Sequence, residues 1–160
     1  MKMDSKTKQE CRDFVLNKNL QRKHIDLLVK EKLLCTSESI MIINRQDEIK
    51  PFFDYIEKDM KTLYETPVDF YTKINISRQV YHNMQKKEYD PDIRTVYKVA
   101  IGLEYEILEA IFILEQAGYS LTLKSKEQLI MVFCFINCVF KPSDVDELLV
   151  DQKVRPLFAL

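Results

Sequence analysis

Two helix-start signals lie close together in the middle of the chain, and their spacing limits what this region can form. Thr66 is followed by Pro67 and Asp69. This combination predicts a helix beginning at Thr66, because the hydroxyl caps a backbone N–H and the carboxylate suits the positive helix end. Ser77 predicts the start of a second helix. Between them, Asn75 is a residue type that tolerates the left-handed conformation of a tight turn. The pattern therefore predicts two short helices joined by a tight turn.

The composition predicts an all-α fold around this segment. The 160 residues include only 2 glycines and 5 prolines, which favours long helices over a turn-rich β fold. The hydrophobic fraction of 46% and the charged fraction of 31% are typical of globular domains. A chain of this length forms one domain, or one domain with a smaller appendage. We expect a small, mainly helical N-terminal region over residues 1–45 and a helical domain over residues 46–160.

Apolar residues at helical spacing predict the helices that flank the central segment. The predicted helices are Lys6–Leu16, Leu20–Leu34, Glu48–Tyr64, Tyr105–Tyr119, Leu129–Phe140 and a short one through Val145, Leu148 and Leu149. The apolar face of the third is expected at Phe52, Phe53, Ile56, Met60 and Leu63. The run Ile40–Asn44 is too short for its periodicity to separate a strand from a helix.

Single residues mark several helix ends in the C-terminal half. Gly118 predicts the end of one helix and Ser125 the start of the next. Pro142 is expected to stop the helix over residues 129–140, with Ser143 and Asp144 capping the one that follows. The helix over residues 129–140 is the most apolar, so we expect it at the centre of the core or at a dimer interface. The apolar tail, Leu157–Leu160, is expected to dock there as well.

No feature of the sequence predicts membrane insertion or catalysis. No apolar run reaches the roughly 18 residues that span a bilayer, and the N-terminus is too charged for a signal peptide, so we expect a cytoplasmic protein. The four cysteines lack metal-binding spacing, and the two histidines have no nucleophile motif beside them. We therefore expect no metal, no cofactor and no enzymatic activity.

The central segment carries a pattern of apolar, capping and basic positions that can be compared with known motifs. These positions are Phe70, Ile74, Ile76, Ser77, Arg78, Tyr81, Met84, Pro91, Val96, Val99, Ala100 and Leu103. The pattern resembles the lambda-repressor-like (Xre-type) helix-turn-helix family, in a divergent branch found in Gram-positive bacteria and their mobile elements. The resemblance extends over roughly residues 50–160. It implies a lambda-repressor-like helical bundle with extra C-terminal helices.

The resemblance also implies a function and a binding face. Its members regulate transcription by sequence-specific DNA binding, and the helix starting at Ser77 would read the major groove. A homodimer would place two such helices about 34 Å apart. The family usually has a small residue at the position of Tyr71 and often a glycine at that of Lys87. Lys87 therefore indicates that this helix continues further here.

Side chains on the exposed side of the second helix are suited to double-stranded DNA. Arginine pairs with guanine, and glutamine or asparagine with adenine, in the major groove. The candidates for base contacts are Arg78, Gln79, His82 and Asn83. The candidates for phosphate contacts are Lys73, Lys86, Lys87 and Arg94.

The charge of the chain leaves a second interpretation open. The formal net charge is −1. Residues 66–94 have a net charge of only +1, from Lys73, Arg78, Lys86, Lys87 and Arg94 against Asp69, Glu88, Asp90 and Asp92. The alternative is a non-enzymatic protein-interaction or inhibitor module, related to mobile elements or phage defence, that uses the same fold without binding DNA. It predicts a surface around Arg78 that is not basic and an apolar patch elsewhere.

Overall fold

A computed structural model describes residues 3–24, 26–27 and 50–159. All regular structure in these ranges is helical, which confirms the all-α prediction. The α-helices are α1 (Ser5–Leu16), α2 (Glu57–Leu63), α3 (Pro67–Lys73), α4 (Arg78–Asn83), α5 (Ile93–Gly102), α6 (Ile107–Gln116), α7 (Lys126–Ile136) and α8 (Pro142–Asp151). A 3-10 helix, Phe52–Tyr55, precedes α2, and residues 18–24 are also helical.

The segment containing α3 and α4 has the predicted caps and turn. The Thr66 hydroxyl accepts the N–H of Asp69 at 3.2 Å, and the Ser77 hydroxyl accepts the N–H of Val80 at 3.1 Å. Asn75 has a φ of 53°, in the left-handed region. The two hydroxyls satisfy donors that the first turn of each helix leaves open. The predicted pair of short helices joined by a tight turn is confirmed.

The α3–α4 segment is packed closely against α5. Phe70 and Ile74, at the inner side and end of α3, are fully buried. A Cβ atom built on Gly102 of α5 would stand only 2.2 Å from Cγ2 of Ile74. The absence of a side chain at Gly102 therefore allows α5 to approach the end of α3.

The core of the C-terminal half is built around α7. Residues 128–135 of this helix are all buried, which confirms that this apolar run fills the core. Helix α1 packs against α7 and α8, with Cys11 and Phe14 in the core. Arg12 of α1 also donates two hydrogen bonds to the Asp151 carboxylate of α8, at 2.6 and 2.7 Å. Three predictions lie outside the described residues: the domain boundary at residues 45–46, the short apolar run over 40–44, and the part of the predicted helix Leu20–Leu34 that covers residues 28–34.

The segment over Glu48–Tyr64 does not form the single helix predicted for it. In its described part, Ile56 separates the 3-10 helix from α2, and Leu63 is 46% exposed instead of buried. Tyr64 takes the inner position, because its ring packs against Phe70 with 5.3 Å between ring centroids. The Tyr64 hydroxyl also donates to the Gly102 carbonyl at 2.5 Å.

The junction between α7 and α8 also differs from the prediction. Helix α7 ends at Ile136, before residue 140, because Cys138 adopts a φ of 55° and the N–H of Val139 donates back to the Cys134 carbonyl at 2.9 Å. Pro142 is the first residue of α8, where a missing N–H costs nothing, and Lys141 is its N-cap. The predicted capping role of Ser143 and Asp144 is therefore wrong.

Two other predictions for this half are confirmed. Gly118 follows α6 with a φ of 89°, and the Ser125 hydroxyl caps α7 by accepting the N–H of Gln128 at 3.0 Å. Leu157 and Phe158 of the tail are buried. Among the described residues, the structure contains no helix with the length and apolar character needed to cross a membrane.

Candidate nucleic-acid interface

Helix α4 is short and is held by the core on one side. It has six residues, so it extends about 9 Å along its axis. Tyr81 and Met84 are buried on its inner side. The N–H of Phe53 donates to the Met84 carbonyl at 3.1 Å, so the 3-10 helix secures the end of α4. Burial, and then the nearby Glu57 carboxylate, raise the pKa of the Tyr81 phenol.

The four base-contact candidates form a continuous polar surface on α4, here called the reading face. Arg78, Gln79 and His82 are exposed, and Asn83 is half-buried. Gln79 Nε2 donates to Asn83 Oδ1 at 3.1 Å, and Arg78 Nε makes a longer contact of 3.4 Å with His82 Nε2. These contacts link residues four apart along the helix surface. None of them involves a carboxylate, so the positive charge of Arg78 is not neutralised within the reading face.

Lys86 and Lys87 lie directly after the reading face. Lys86 Nζ donates to Asn83 Oδ1 at 3.3 Å, and Lys87 is exposed. Because α4 ends at Asn83, the expectation that the helix continues through Lys87 is wrong. Successive turns replace it, with the N–H of Gln85 donating to His82 and that of Lys86 to Asn83. Both lysines still flank the reading face on its C-terminal side.

The other two phosphate-contact candidates lie apart from these lysines. Arg94 forms an ion pair with Glu127 and donates to the carbonyl of Pro156 at 2.6 Å, so its guanidinium is engaged within the fold. Lys73 stands over the Tyr64 ring, 5.6 Å from its centroid. It also lines an open cleft of about 650 Å³ together with residues of α1 and of the α7–α8 junction. The structure thus brings together six of the eight predicted residues.

The sequence from Phe70 in α3 to Lys87 after α4 carries no negative charge. Residues 70–87 contain no acidic residue, and they contain four basic ones, Lys73, Arg78, Lys86 and Lys87. Of the acidic residues that follow, Asp92 caps α5 by accepting the N–H of Thr95 at 2.7 Å. Residues 70–87 therefore have a net charge of +4, compared with +1 for residues 66–94.

Tyr71 occupies the position where the resembled family usually has a small residue. Its half-buried ring packs against the Tyr81 ring, with 5.3 Å between centroids and an interplanar angle of 42°. Its carbonyl accepts the N–H of Ile76 at 3.0 Å, so the turn closes with the large side chain in place. The close helix approach that needs a small residue occurs at Gly102.

The potential metal ligands and the buried thiols are the other reactive groups in the described part of the chain. No group of histidine, cysteine, aspartate and glutamate side chains in residues 3–24, 26–27 and 50–159 could hold a metal ion. Burial and the Asp151 carboxylate raise the pKa of the Cys11 thiol to about 12, and burial raises that of Cys134. Both thiols therefore stay protonated at neutral pH, and neither is activated as a nucleophile.

One contact of the turn was not predicted. Asn75 Nδ2 donates to the carbonyl of Phe158 at 2.8 Å, which joins the α3–α4 turn to the tail. No local pattern signals this contact, because its partners are 83 residues apart in the chain.

Comparison with known proteins finds no family model, no curated protein and no solved structure that matches this chain. The interpretation of α4 therefore depends on its geometry and charge. The resemblance to the lambda-repressor-like family stays a prediction.

Proposed function

We propose that this chain is a sequence-specific DNA-binding transcriptional regulator without enzymatic activity, and that it reads the major groove with α4. One observation carries the proposal. The reading face is polar and exposed, it is followed by two lysines, and the 18 residues that contain it have no acidic side chain. Its helix is held by a cap at one end and by Phe53 at the other. Such a rigid, cationic element matches what base and phosphate contacts require.

Each side chain of the reading face has a chemical counterpart in DNA. Arg78 can donate two hydrogen bonds to guanine, and Gln79 or Asn83 can pair with adenine. His82 is placed to contact a base or the backbone beside them. Lys86 and Lys87 supply phosphate contacts, which add affinity and salt dependence but no sequence information. We assign Arg94 to the fold, because its donors already bind Glu127 and the tail.

The proposal is tested by fluorescence anisotropy with duplex DNA, first on a random-sequence pool and then on a sequence selected from it. We expect Arg78→Ala to weaken binding to the selected sequence by about 1–3 kcal/mol. Lys86→Ala should weaken binding to all sequences and reduce the salt slope by about one. The matched control is Arg22→Ala, because Arg22 is exposed on the helical residues 18–24, away from α4 in the chain. Absence of wild-type binding even at low salt, or an equal loss in Arg22→Ala, would refute the proposal.

A homodimer that pairs through α6 fits the structure better than one that pairs through the helix over residues 129–140 or through the tail. The core segment over 129–135 and the tail residues Leu157 and Phe158 are buried within the chain, so they cannot form an interface without unfolding. Helix α6 is rich in apolar residues, and its exposed side also carries Glu109 and Glu115. On its outer side, Leu108 and Ile111 are half-buried and Phe112 is 49% exposed.

Changing Phe112 to glutamate tests this arrangement. A carboxylate at position 112 is expected to convert a dimer into a monomer, because burying an unpaired charge in the interface costs free energy. The matched control is Val150→Glu on α8, where a comparable apolar side chain is 56% exposed. Molar mass from light scattering should fall to that of one chain for Phe112→Glu and stay unchanged for Val150→Glu. A wild-type protein that is monomeric at DNA-binding concentrations would contradict the dimer.

A protein-interaction module without DNA binding is the second candidate. The exposed ring of Phe112 on α6 favours it, since an exposed aromatic side chain beside half-buried apolar residues can bind a different protein as well as a second copy. The two candidates give opposite results in the anisotropy assay. If the protein does not bind DNA, and if Phe112→Glu abolishes binding of a protein partner, the result supports the protein-interaction module.

A further inference from the structure

The C-terminal segment over residues 154–159, here called the strap, is bound through its backbone N–H groups by a single carboxylate. Asp146 Oδ1 accepts the N–H groups of Leu157 and Phe158 at 2.7 and 3.0 Å. Asp146 Oδ2 accepts that of Ala159 at 2.9 Å. Hydrogen bonds to a charged acceptor are stronger than those between neutral groups. The buried side chains of Leu157 and Phe158 add apolar anchors beside this carboxylate.

The carbonyl groups of the strap are bound by α5 and by the α3–α4 turn. Arg94 Nη2 donates to the carbonyls of Arg155 and Pro156 at 3.2 and 2.6 Å. Asn75 Nδ2 donates to the carbonyl of Phe158 at 2.8 Å. The strap thus joins α8, α5 and the turn that precedes the reading face.

Asn75 is a sensitive point for such a connection. Its φ of 53° lies in the left-handed region, which asparagine tolerates better than most residues with a Cβ atom. Its carbonyl accepts a hydrogen bond from Lys98 Nζ at 3.1 Å while its side chain binds the strap. Contacts on both its backbone and its side chain therefore help to hold this conformation.

We propose that the strap is a conformational device that holds the α3–α4 turn, so that release of the strap loosens the turn and weakens DNA binding. Only the last step depends on the proposed function. The coupling between strap and turn is a property of the fold and can be measured without DNA.

The test is amide hydrogen exchange in the full chain with Asp146→Ala. This change removes all three contacts to the strap N–H groups. We expect the amides of Leu157 and Phe158 to exchange roughly tenfold faster or more, because hydrogen bonds to a charged group are lost. The amide of Ile76, which donates to the Tyr71 carbonyl across the turn, should exchange several-fold faster as well. The amides of α1 should keep their wild-type rates.

The control is Val150→Ala on the same helix, whose side chain is 56% exposed, and it should leave both sets of amides unchanged. If the strap amides accelerate in Asp146→Ala while Ile76 keeps its wild-type rate, the coupling is refuted. DNA affinity is measured on the same samples. A wild-type protein that does not bind DNA refutes the proposed function, while the exchange result still decides the coupling.

A second variant keeps the test decisive if Asp146→Ala does not fold. Asn75→Gly preserves the left-handed backbone without steric cost and removes only the side-chain contact to Phe158. It should accelerate exchange at Phe158 and Ala159 relative to wild type. Unchanged exchange at these two amides would overturn the proposal.

Discussion

Replacing Phe70 with alanine is expected to lower the free energy of unfolding by about 3–5 kcal/mol. The ring is fully buried on the inner side of α3, with ring centroids 5.3 Å from Tyr64 and 6.4 Å from Tyr81. Its removal leaves a cavity where α2, α3 and α4 meet. Because a domain of this size has a total stability of about 5–15 kcal/mol, much of it would be lost. Urea unfolding followed by circular dichroism measures the difference.

Val68→Ala is the matched control for this substitution. Val68 lies on the same helix, but its side chain is 54% exposed, so the change should alter stability by no more than about 0.5 kcal/mol. A loss below about 1 kcal/mol for Phe70→Ala, or similar losses for the two variants, would show that α3 does not pack through Phe70.

Replacing Gly102 with alanine is expected to destabilise the protein by about 1–3 kcal/mol, although alanine has a higher helix propensity than glycine. The new Cβ would stand 2.2 Å from Cγ2 of Ile74, and this atom belongs to a fully buried β-branched side chain with few alternative rotamers. The helices must therefore move apart. Thermal and urea unfolding should both report the loss.

The Ile74→Ala variant separates this clash from other effects of changing Gly102. Ile74→Ala alone leaves a cavity and is destabilising. In the double variant the added methyl group meets free space, so the combined loss should be smaller than the sum by about 0.5–3 kcal/mol. Additive losses would mean that Gly102 and Ile74 do not limit the approach of α5.

The parts of the fold that sequence predicted correctly are those governed by neighbouring residues. Thr66 and Ser77 each cap an N–H three residues further on, and Asn75 adopts its left-handed conformation within a turn of a few residues. These effects depend on contacts between residues that are close in the sequence, so the residue types alone predict them. The apolar run of α7 also predicts its position correctly, because a helix without a polar face is buried in a core.

The parts that sequence did not predict depend on partners that are distant in the chain. The sequence predicts that Arg94 contacts a phosphate, but its partner Glu127 is 33 residues away in the chain and the tail carbonyls are more than 60 away. Lys73, the last residue of α3, lines a cleft with residues of α1 and of the α7–α8 junction, which are more than 50 residues away in the chain. Pro142 is different, because the sequence predicts a helix end there although proline also suits the first position of a helix. The differences at Arg94 and Lys73 reflect tertiary packing that periodicity does not contain.

The most direct test of the central claim is a nuclear magnetic resonance titration of the isotope-labelled protein with duplex DNA at low salt. The account predicts that the largest amide shifts fall between Ser77 and Lys87, and that these shifts reverse as salt is added. Helix α1, which packs on the other helices of the core, should show no comparable change. Shifts confined to α1 and α8, or no shifts at any DNA concentration, would contradict the claim that α4 reads DNA.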